Sequence, residues 1–144
     1  MVKISKSVFI QAPVEKVFEF FSEPANLPEI WPSVVDVRDV QRSGDEVQGW
    51  RYTYKMAGMK FDGQTKVIDR IENQRYVTDN EGGGLSARIA ETYTAEGDGT
   101  RLDWDVEYTI PGALLGKLAE PFIRKMNERE AETVLANLKD RMET

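Results

Sequence analysis

The stretch that decides the fold is Leu102-Asp103-Trp104-Asp105-Val106-Glu107-Tyr108-Thr109-Ile110, which stops at Pro111-Gly112. Apolar and polar side chains alternate along it, as in a strand with one dry face and one wet face. We therefore expect Asp103, Asp105 and Glu107 to be exposed. The residues that follow, 113–142, show helical spacing instead, and Pro121 should kink or divide this helix. A long helix directly after such a strand is expected to cover the dry face of the sheet.

Six more strands and two short helices are expected before this strand. The strands are predicted at residues 2–11, 33–42, 47–56, 59–72, 75–81 and 85–95, with the last strand at 100–110, and the short helices at 13–22 and 26–31. Successive strands are joined by short turns, for example Ser43-Gly44-Asp45 and Gly97-Asp98-Gly99, and such connections indicate an antiparallel meander. The sequence thus predicts an α+β fold with a seven-stranded antiparallel sheet, in a single domain over residues 1–144.

The charge balance argues against several classes of partner. The 144 residues include 19 Lys and Arg against 25 Asp and Glu, for a net charge of -6, and there is no basic run. Such a chain is a poor candidate for binding nucleic acid or an anionic membrane surface. No stretch of apolar residues is long enough for membrane insertion, and the N-terminal residues lack a signal-peptide core. We expect a cytoplasmic protein, and the pattern specifies no oligomeric state.

The absence of Cys and His limits the chemistry that the chain can perform. It removes disulfides, thiolate nucleophiles, His general bases and the commonest zinc ligands. The carboxylates show no EF-hand spacing. We therefore expect no metal and no cofactor, and we favour a binding protein over an enzyme.

Three stretches carry a resemblance to a known superfamily. They are Ile10-Gln11-Ala12-Pro13-Val14-Glu15-Lys16-Val17-Phe18, then Pro24-Ala25-Asn26-Leu27-Pro28-Glu29-Ile30-Trp31-Pro32, and the hairpin Gly99-Thr100-Arg101-Leu102-Asp103-Trp104. With the element order, they make essentially the whole chain resemble the START-like, helix-grip proteins, the polyketide cyclase/dehydrase and lipid-transport group. The resemblance implies a curved sheet wrapped around the C-terminal helix, with two short helices after the first strand and a cavity between sheet and helix. Members carry lipids, sterols, quinones, hormones or polyketides, some are cyclases or hydrolases, and some bind protein partners.

Aromatic side chains on two strands are the first candidates for a binding site. Trp50, Tyr52 and Tyr54 share one parity, and Trp104 and Tyr108 share the dry face of the last strand. Such residues suit a pocket for a flat or greasy ligand with a few polar groups. Ordinary core packing is the alternative, and the two are compatible.

Glu91 is the second candidate, because it shares the parity of Ile89 and Tyr93 on a predicted strand. An acid on the dry face loses solvation, so its pKa should rise, and it could act as a general acid or base or anchor a ligand. The alternatives are a bulge that turns Glu91 outward, a strand that instead places Arg88 and Thr92 inward, or a buried ion pair without a chemical role.

The helical segments supply further candidates. Trp31 is expected either to gate the cavity or to plug the core. In the long helix an apolar stripe is expected at Leu115, Leu118, Phe122 and Met126, then at Val134, Leu138 and Met142. Asn127 and Glu130 lie close to this stripe and could project into the cavity.

These observations favour binding of a small hydrophobic molecule, such as a lipid, quinone, polyketide or aromatic compound, by a carrier or sensor. One alternative is a cyclase/dehydrase-type enzyme that uses Glu91 and tyrosines for acid–base chemistry, and another is a protein-interaction module. The residues predicted to contact the ligand are Trp31, Trp50, Tyr52, Tyr54, Phe61, Ile89, Glu91, Tyr93, Trp104, Tyr108, Phe122 and Met126.

Overall fold

The computed structural model describes residues 1–116 and 118–144. The elements in chain order are β1 (Val2–Ile10), α1 (Val14–Phe21), a 3-10 turn (Pro24–Asn26), α2 (Leu27–Ile30), β2 (Val34–Ser43), β3 (Glu46–Met56), β4 (Met59–Ile71), β5 (Arg75–Gly82), β6 (Leu85–Glu96), β7 (Gly99–Thr109), α3 (Gly112–Leu115) and α4 (Glu120–Glu143). This is the predicted α+β helix-grip architecture, and all seven predicted strands are confirmed.

The seven strands form one antiparallel sheet in the order β1-β7-β6-β5-β4-β3-β2. Six strands follow each other as a meander, and β1 joins by pairing with the last strand, Val2 opposite Tyr108 and Ile10 opposite Thr100. Register shifts interrupt the β2–β3 pairing and, between Val67 and Asp69, the β4–β5 pairing. Irregularities of this kind bend and twist a strand locally, which helps the sheet to curve around a helix.

The predicted alternation of inward and outward side chains along β7 is correct, but the outward carboxylates are less exposed than expected. Asp105 is exposed, whereas Asp103 and Glu107 are half-buried. Each of these two carboxylates lies beside a basic side chain, Asp103 3.2 Å from Arg101 and Glu107 3.4 Å from Lys3. Pairing with a neighbouring long side chain covers part of each carboxylate and accounts for the difference.

A hydrogen bond joins two of the stretches that carry the family resemblance. The Thr100 hydroxyl, fully buried at the start of β7, donates to the Ala12 carbonyl at 2.8 Å. Pro13 then precedes the first turn of α1, and Val17 and Phe18 are buried against the sheet. The bond therefore fixes where the chain leaves β1 and turns into α1.

The long helix starts later than predicted. The region expected to be one kinked helix over 113–142 divides into α3 and α4, and Pro121 lies in the first turn of α4, where a missing N–H is tolerated. Lys117, which falls within the expected helix, lies outside the described residues. Neither α4 nor any other helix in the described ranges has the length and hydrophobicity to span a bilayer.

The apolar stripe of the helical region is displaced by one residue in its first half. Leu115 and Phe122 are 48% and 55% exposed, whereas Leu114 and Ile123 are fully buried. The buried face of α4 is Ile123, Asn127, Ala131, Val134, Leu135, Leu138 and Met142. The second half of the predicted stripe is correct. In the first half, Leu118 and Met126 are half-buried and pack against the core, whereas the inward placement of Leu115 and Phe122 is wrong. A polar and a small residue, Asn127 and Ala131, occupy inward positions there, so counting large apolar side chains misplaces the buried face.

The two adjacent leucines of α3 test this corrected register. Leu114→Ala should lower the free energy of unfolding by about 2–5 kcal/mol, because it removes a fully buried side chain. Leu115→Ala should change it by less than about 0.5 kcal/mol, since half of that side chain is exposed. Urea denaturation of both variants gives the comparison. Equal losses, or a larger loss for Leu115→Ala, would show that the register is wrong.

Candidate ligand cavity

A cavity of about 110 Å³ lies between α4 and the concave face of the sheet. Its lining is mainly aromatic and aliphatic, with a small number of polar groups. Eight of the residues predicted to contact a ligand line it: Trp31, Trp50, Tyr52, Tyr54, Ile89, Glu91, Trp104 and Tyr108. The strand alternation that selected these residues holds across β3, β6 and β7, because cross-strand partners face the same side of the sheet.

Four of the predicted residues do not line the cavity. Phe61 is buried but packs against Gly83 at the sheet's turn. Tyr93 is buried on β6, two residues after Glu91. Its ring stands edge-on to the Phe18 ring, with 5.1 Å between the ring centroids. Met126 is half-buried against the core, and Phe122 is exposed, because both belong to the displaced half of the helical stripe. These four side chains therefore lie outside the cavity wall.

Trp31 lies over one side of the cavity and is held there by Glu130. Its indole Nε1 donates to Glu130 Oε1 at 3.0 Å, and the Tyr54 hydroxyl donates to the other carboxylate oxygen. The Trp31 ring also stands edge-on to Trp104 at 5.3 Å and to Tyr54 at 6.3 Å. Burial, together with the Glu130 carboxylate, raises the pKa of Tyr54 well above its usual range. Trp31 thus both lines the cavity and, being half-exposed, borders solvent.

Several polar side chains in the wall form hydrogen bonds with each other. Thr65 Oγ1 lies 2.6 Å from Asn80 Oδ1, and Asn80 Nδ2 donates to Thr78 Oγ1 at 3.1 Å. On the helix side, Asn127 Nδ2 donates to the Tyr108 hydroxyl at 2.7 Å. Sequence reasoning considered Asn127 but missed Thr65, Thr78 and Asn80. They could have been identified from the sequence, because each alternates in step with the inward-facing residues of its strand, β4 or β5.

Glu91 faces the cavity and is only 7% exposed. The pairing of β6 with β5 and β7 is regular through this residue, so the bulge that would turn it outward is absent in this part of the described chain. Its partner is Tyr93, whose hydroxyl donates to Oε1 at 2.5 Å. Burial raises the pKa of Glu91 to about 8, and the Tyr93 hydrogen bond offsets only part of that effect. Glu91 is therefore mostly a neutral acid near pH 7.

Three buried donors in the wall have no hydrogen-bond partner among the described residues: Tyr52 Oη, Tyr76 Oη and Trp104 Nε1. Tyr76 was not singled out by its sequence context, although it lines the cavity and is 2% exposed. Burial raises the pKa of Tyr52 to about 12, and it raises that of Tyr76 as well. Buried polar groups nearly always have partners, so three such donors in one wall indicate a place where a polar ligand atom fits.

The Tyr52 side chain packs directly against the backbone of the neighbouring strand β4. A side chain at Gly63, its cross-strand partner on β4, would collide with the Tyr52 ring and hydroxyl. The ring therefore lies across Gly63, and only glycine permits this approach.

The titratable groups of the cavity do not assemble a metal site. Within residues 1–116 and 118–144, no three carboxylates come close enough together to hold a metal ion. The chemical groups that the wall offers are one neutral acid, one hydrogen-bonded carboxylate, phenols, indoles and amides. These groups can orient a ligand, and the acid can also exchange a proton.

Comparison with known proteins identifies the relatives of this fold. A family model described as polyketide cyclase / dehydrase and lipid transport matches residues 1–143. No curated protein sequence matches the chain significantly.

Among solved structures, a START superfamily protein from Mycobacterium smegmatis has a TM-score of 0.80 at 21% identity, covering 98% of this chain and 97% of that one. A protein from Thermus thermophilus has a TM-score of 0.79 at 23% identity, covering 98% and 97%. The di-domain ARO/CYC StfQ from the steffimycin biosynthetic pathway has a TM-score of 0.78 at 16% identity, covering 99% of this chain and 50% of that one. At these identities the likeness establishes the fold.

Replacing Glu91 by Gln should remove a pH-dependent loss of stability. Unfolded glutamate titrates near 4.5, whereas folded Glu91 titrates near 8. Below 4.5 both states hold the proton; between the two values only the folded state does, so stability falls as pH rises and levels off above about 8. This shift corresponds to at most roughly 5 kcal/mol. Between pH 5 and 8.5 the wild type should therefore lose stability relative to Glu91→Gln.

Urea denaturation across this pH range measures the difference, and the chain has no His that would titrate in the same window. Glu128→Gln, which removes an exposed carboxylate from α4, is the matched control and should keep the wild-type slope. Parallel curves for wild type and Glu91→Gln would mean that Glu91 is ionised in the folded protein.

Proposed function

The chain belongs to the polyketide cyclase / dehydrase and lipid transport family, and from this premise we propose that it binds a small hydrophobic molecule in the cavity, as a carrier or sensor. The observation that carries the proposal is the space between α4 and the sheet, with its aromatic wall and its few polar groups. Binding sites for small molecules commonly have this composition. The residues proposed to contact the ligand are Trp31, Trp50, Tyr52, Tyr54, Ile89, Glu91, Trp104 and Tyr108.

Two alanines on opposite faces of β6 provide a matched test. Ala87 lines the cavity, whereas Ala90, three residues later, points to the other face, and both are half-buried. Ala87→Leu should fill the space and weaken binding of small aromatic compounds by about 10-fold or more, equivalent to ~1.4 kcal/mol. Ala90→Leu should leave binding unchanged. Ligand-observed NMR with a panel of small aromatic compounds, some oxygenated, gives the affinities.

Native mass spectrometry of protein isolated from its own host would then identify a co-purified molecule. If no compound of the panel binds and no molecule co-purifies, the binding function fails, and a protein-interaction role takes its place. If both leucine variants weaken binding equally, the site lies elsewhere.

One observation favours a second candidate function, a cyclase/dehydrase-type enzyme. Glu91 is a cavity-facing acid whose pKa is raised to about 8, in the range that suits a general acid or base near neutral pH. StfQ, which shares this fold, is described as an ARO/CYC protein, and this likeness supports the second candidate. In this role Glu91 would move a proton at a bound carbonyl compound, and the neighbouring tyrosines would orient it.

The second candidate predicts a loss of turnover without a loss of binding. With the molecule identified by mass spectrometry as substrate, Glu91→Gln should lower kcat by ~10²–10⁴-fold, because it keeps the shape of the side chain but cannot exchange the proton. The dissociation constant should change little. A molecule that the wild type returns unaltered after prolonged incubation would leave the carrier or sensor role.

A further inference from the structure

Building on the proposed ligand-binding function, we propose that the cavity selects an uncharged ligand through one acceptor oxygen, which lies between Tyr76 and Trp104 beside Glu91, and that it excludes carboxylates. The proposal rests on which hydrogen-bonding groups of the wall are already paired, on where the unpaired ones lie, and on the charges around them.

The unpaired groups of the wall require an acceptor. Trp31 and Tyr54 donate to Glu130, Asn127 donates to Tyr108, and the Thr65–Asn80–Thr78 group is internally bonded. The fully buried donors that remain without a partner in the described chain are the hydroxyls of Tyr52 and Tyr76 and the indole N–H of Trp104. An indole nitrogen can only donate. A ligand atom that satisfies Trp104 must therefore be an acceptor.

Two of these donors flank one position on the concave face. Glu91 on β6 pairs with Tyr76 on β5 and with Trp104 on β7, so the three side chains form a row across the sheet. All three line the cavity, and Tyr76 and Trp104 are each 2% exposed. A single oxygen above this row can accept from both sides. Neutral Glu91 holds one further proton there and supports the same requirement.

The charges of the wall exclude an anion at this position. Among the described residues that line the cavity there is no Lys or Arg, and the acidic ones are Glu91 and Glu130. A carboxylate ligand would lose its hydration beside an acid. Arg70, the cross-strand neighbour of Tyr76 on β4, lies outside the cavity lining and is already paired with Glu46 at 3.1 Å. An amine could pair with an acid but would leave Trp104 without an acceptor. An uncharged carbonyl-type oxygen on an apolar body meets both conditions.

The size of the cavity sets the choice of probes. An engineered cavity of about 150 Å³ binds benzene, and the present one, at about 110 Å³, is of the same order. One-ring compounds of nearly equal shape are therefore appropriate: acetophenone (ketone), cumene (hydrocarbon), benzoate (carboxylate) and 1-phenylethylamine (amine).

The decisive experiment compares these probes on wild type and Tyr76→Phe by calorimetric titration at pH 7. Removing the hydroxyl should weaken acetophenone binding by about 3- to 10-fold, since one neutral hydrogen bond is lost, and should leave cumene unchanged. The ratio between the two proteins cancels the different water solubilities of the probes. Benzoate should not bind. Ser86→Ala, which removes a hydroxyl from the exposed face of β6, should behave as wild type for every probe.

A spectroscopic readout reports on Trp104 directly. The protein has three tryptophans, so three indole N–H resonances are expected, assignable with Trp→Phe variants. Acetophenone should move the Trp104 resonance downfield, and cumene should not. Because this signal depends on a hydrogen bond at Nε1, a purely steric role of Tyr76 would not produce it.

Several results would overturn the proposal. Equal weakening of acetophenone and cumene by Tyr76→Phe, or an unmoved Trp104 resonance with acetophenone bound, would remove the acceptor position while leaving ligand binding intact. Tighter binding of benzoate or of 1-phenylethylamine than of acetophenone would overturn the charge argument in the same way. If none of the four probes binds and the wider panel also fails, the proposed function falls together with this inference.

Discussion

The contact between α4 and the concave face of the sheet determines whether this protein has a solid core or a cavity. The helix packs against β1, and in its second half Val134 and Leu138 are fully buried. In its first half the inward positions carry Asn127 and Ala131, which border the cavity. Interiors are otherwise close-packed, so a small and a polar residue at these positions leave space that no other side chain fills. The cavity thus depends on Asn127 and Ala131 in the first half of α4. The second half of the helix packs tightly and holds α4 against the sheet.

The same stretch of α4 also holds the cover over that space. Glu130, adjacent to Ala131, accepts hydrogen bonds from Trp31 after α2 and from Tyr54 on β3. A carboxylate that receives two donors is satisfied even when half-buried. Trp31 is therefore held by directional bonds and two aromatic edges, while its outer side stays in solvent.

The sequence predicted the sheet well and the helix face poorly, for one physical reason. Strand alternation has a period of two, and each strand of β3, β6 and β7 is long enough for the pattern to define its faces, so Glu91 could be placed inward from parity alone. A helix that lines a cavity breaks the hydrophobic rule that identifies its buried face. Asn127 and Ala131 face inward and Phe122 faces solvent, so a count of apolar residues selects the wrong stripe. Tyr76 was missed because its importance lies in its cross-strand neighbour Glu91, which belongs to another strand.

The polar groups of the wall argue against a vestigial cavity. A buried donor without a partner costs about 1–3 kcal/mol, and a buried acid with a raised pKa adds a further cost as the pH approaches neutrality. Total stabilities of domains are only about 5–15 kcal/mol, so the combined cost of three such donors and one such acid is comparable to the net stability of a domain. Phenylalanine at Tyr52 and Tyr76 would avoid much of it without loss of volume. These groups become favourable once an acceptor occupies the cavity, because bound ligand stabilises the folded state by mass action. The cost is therefore expected of a binding site and has no counterpart in a core that serves packing alone.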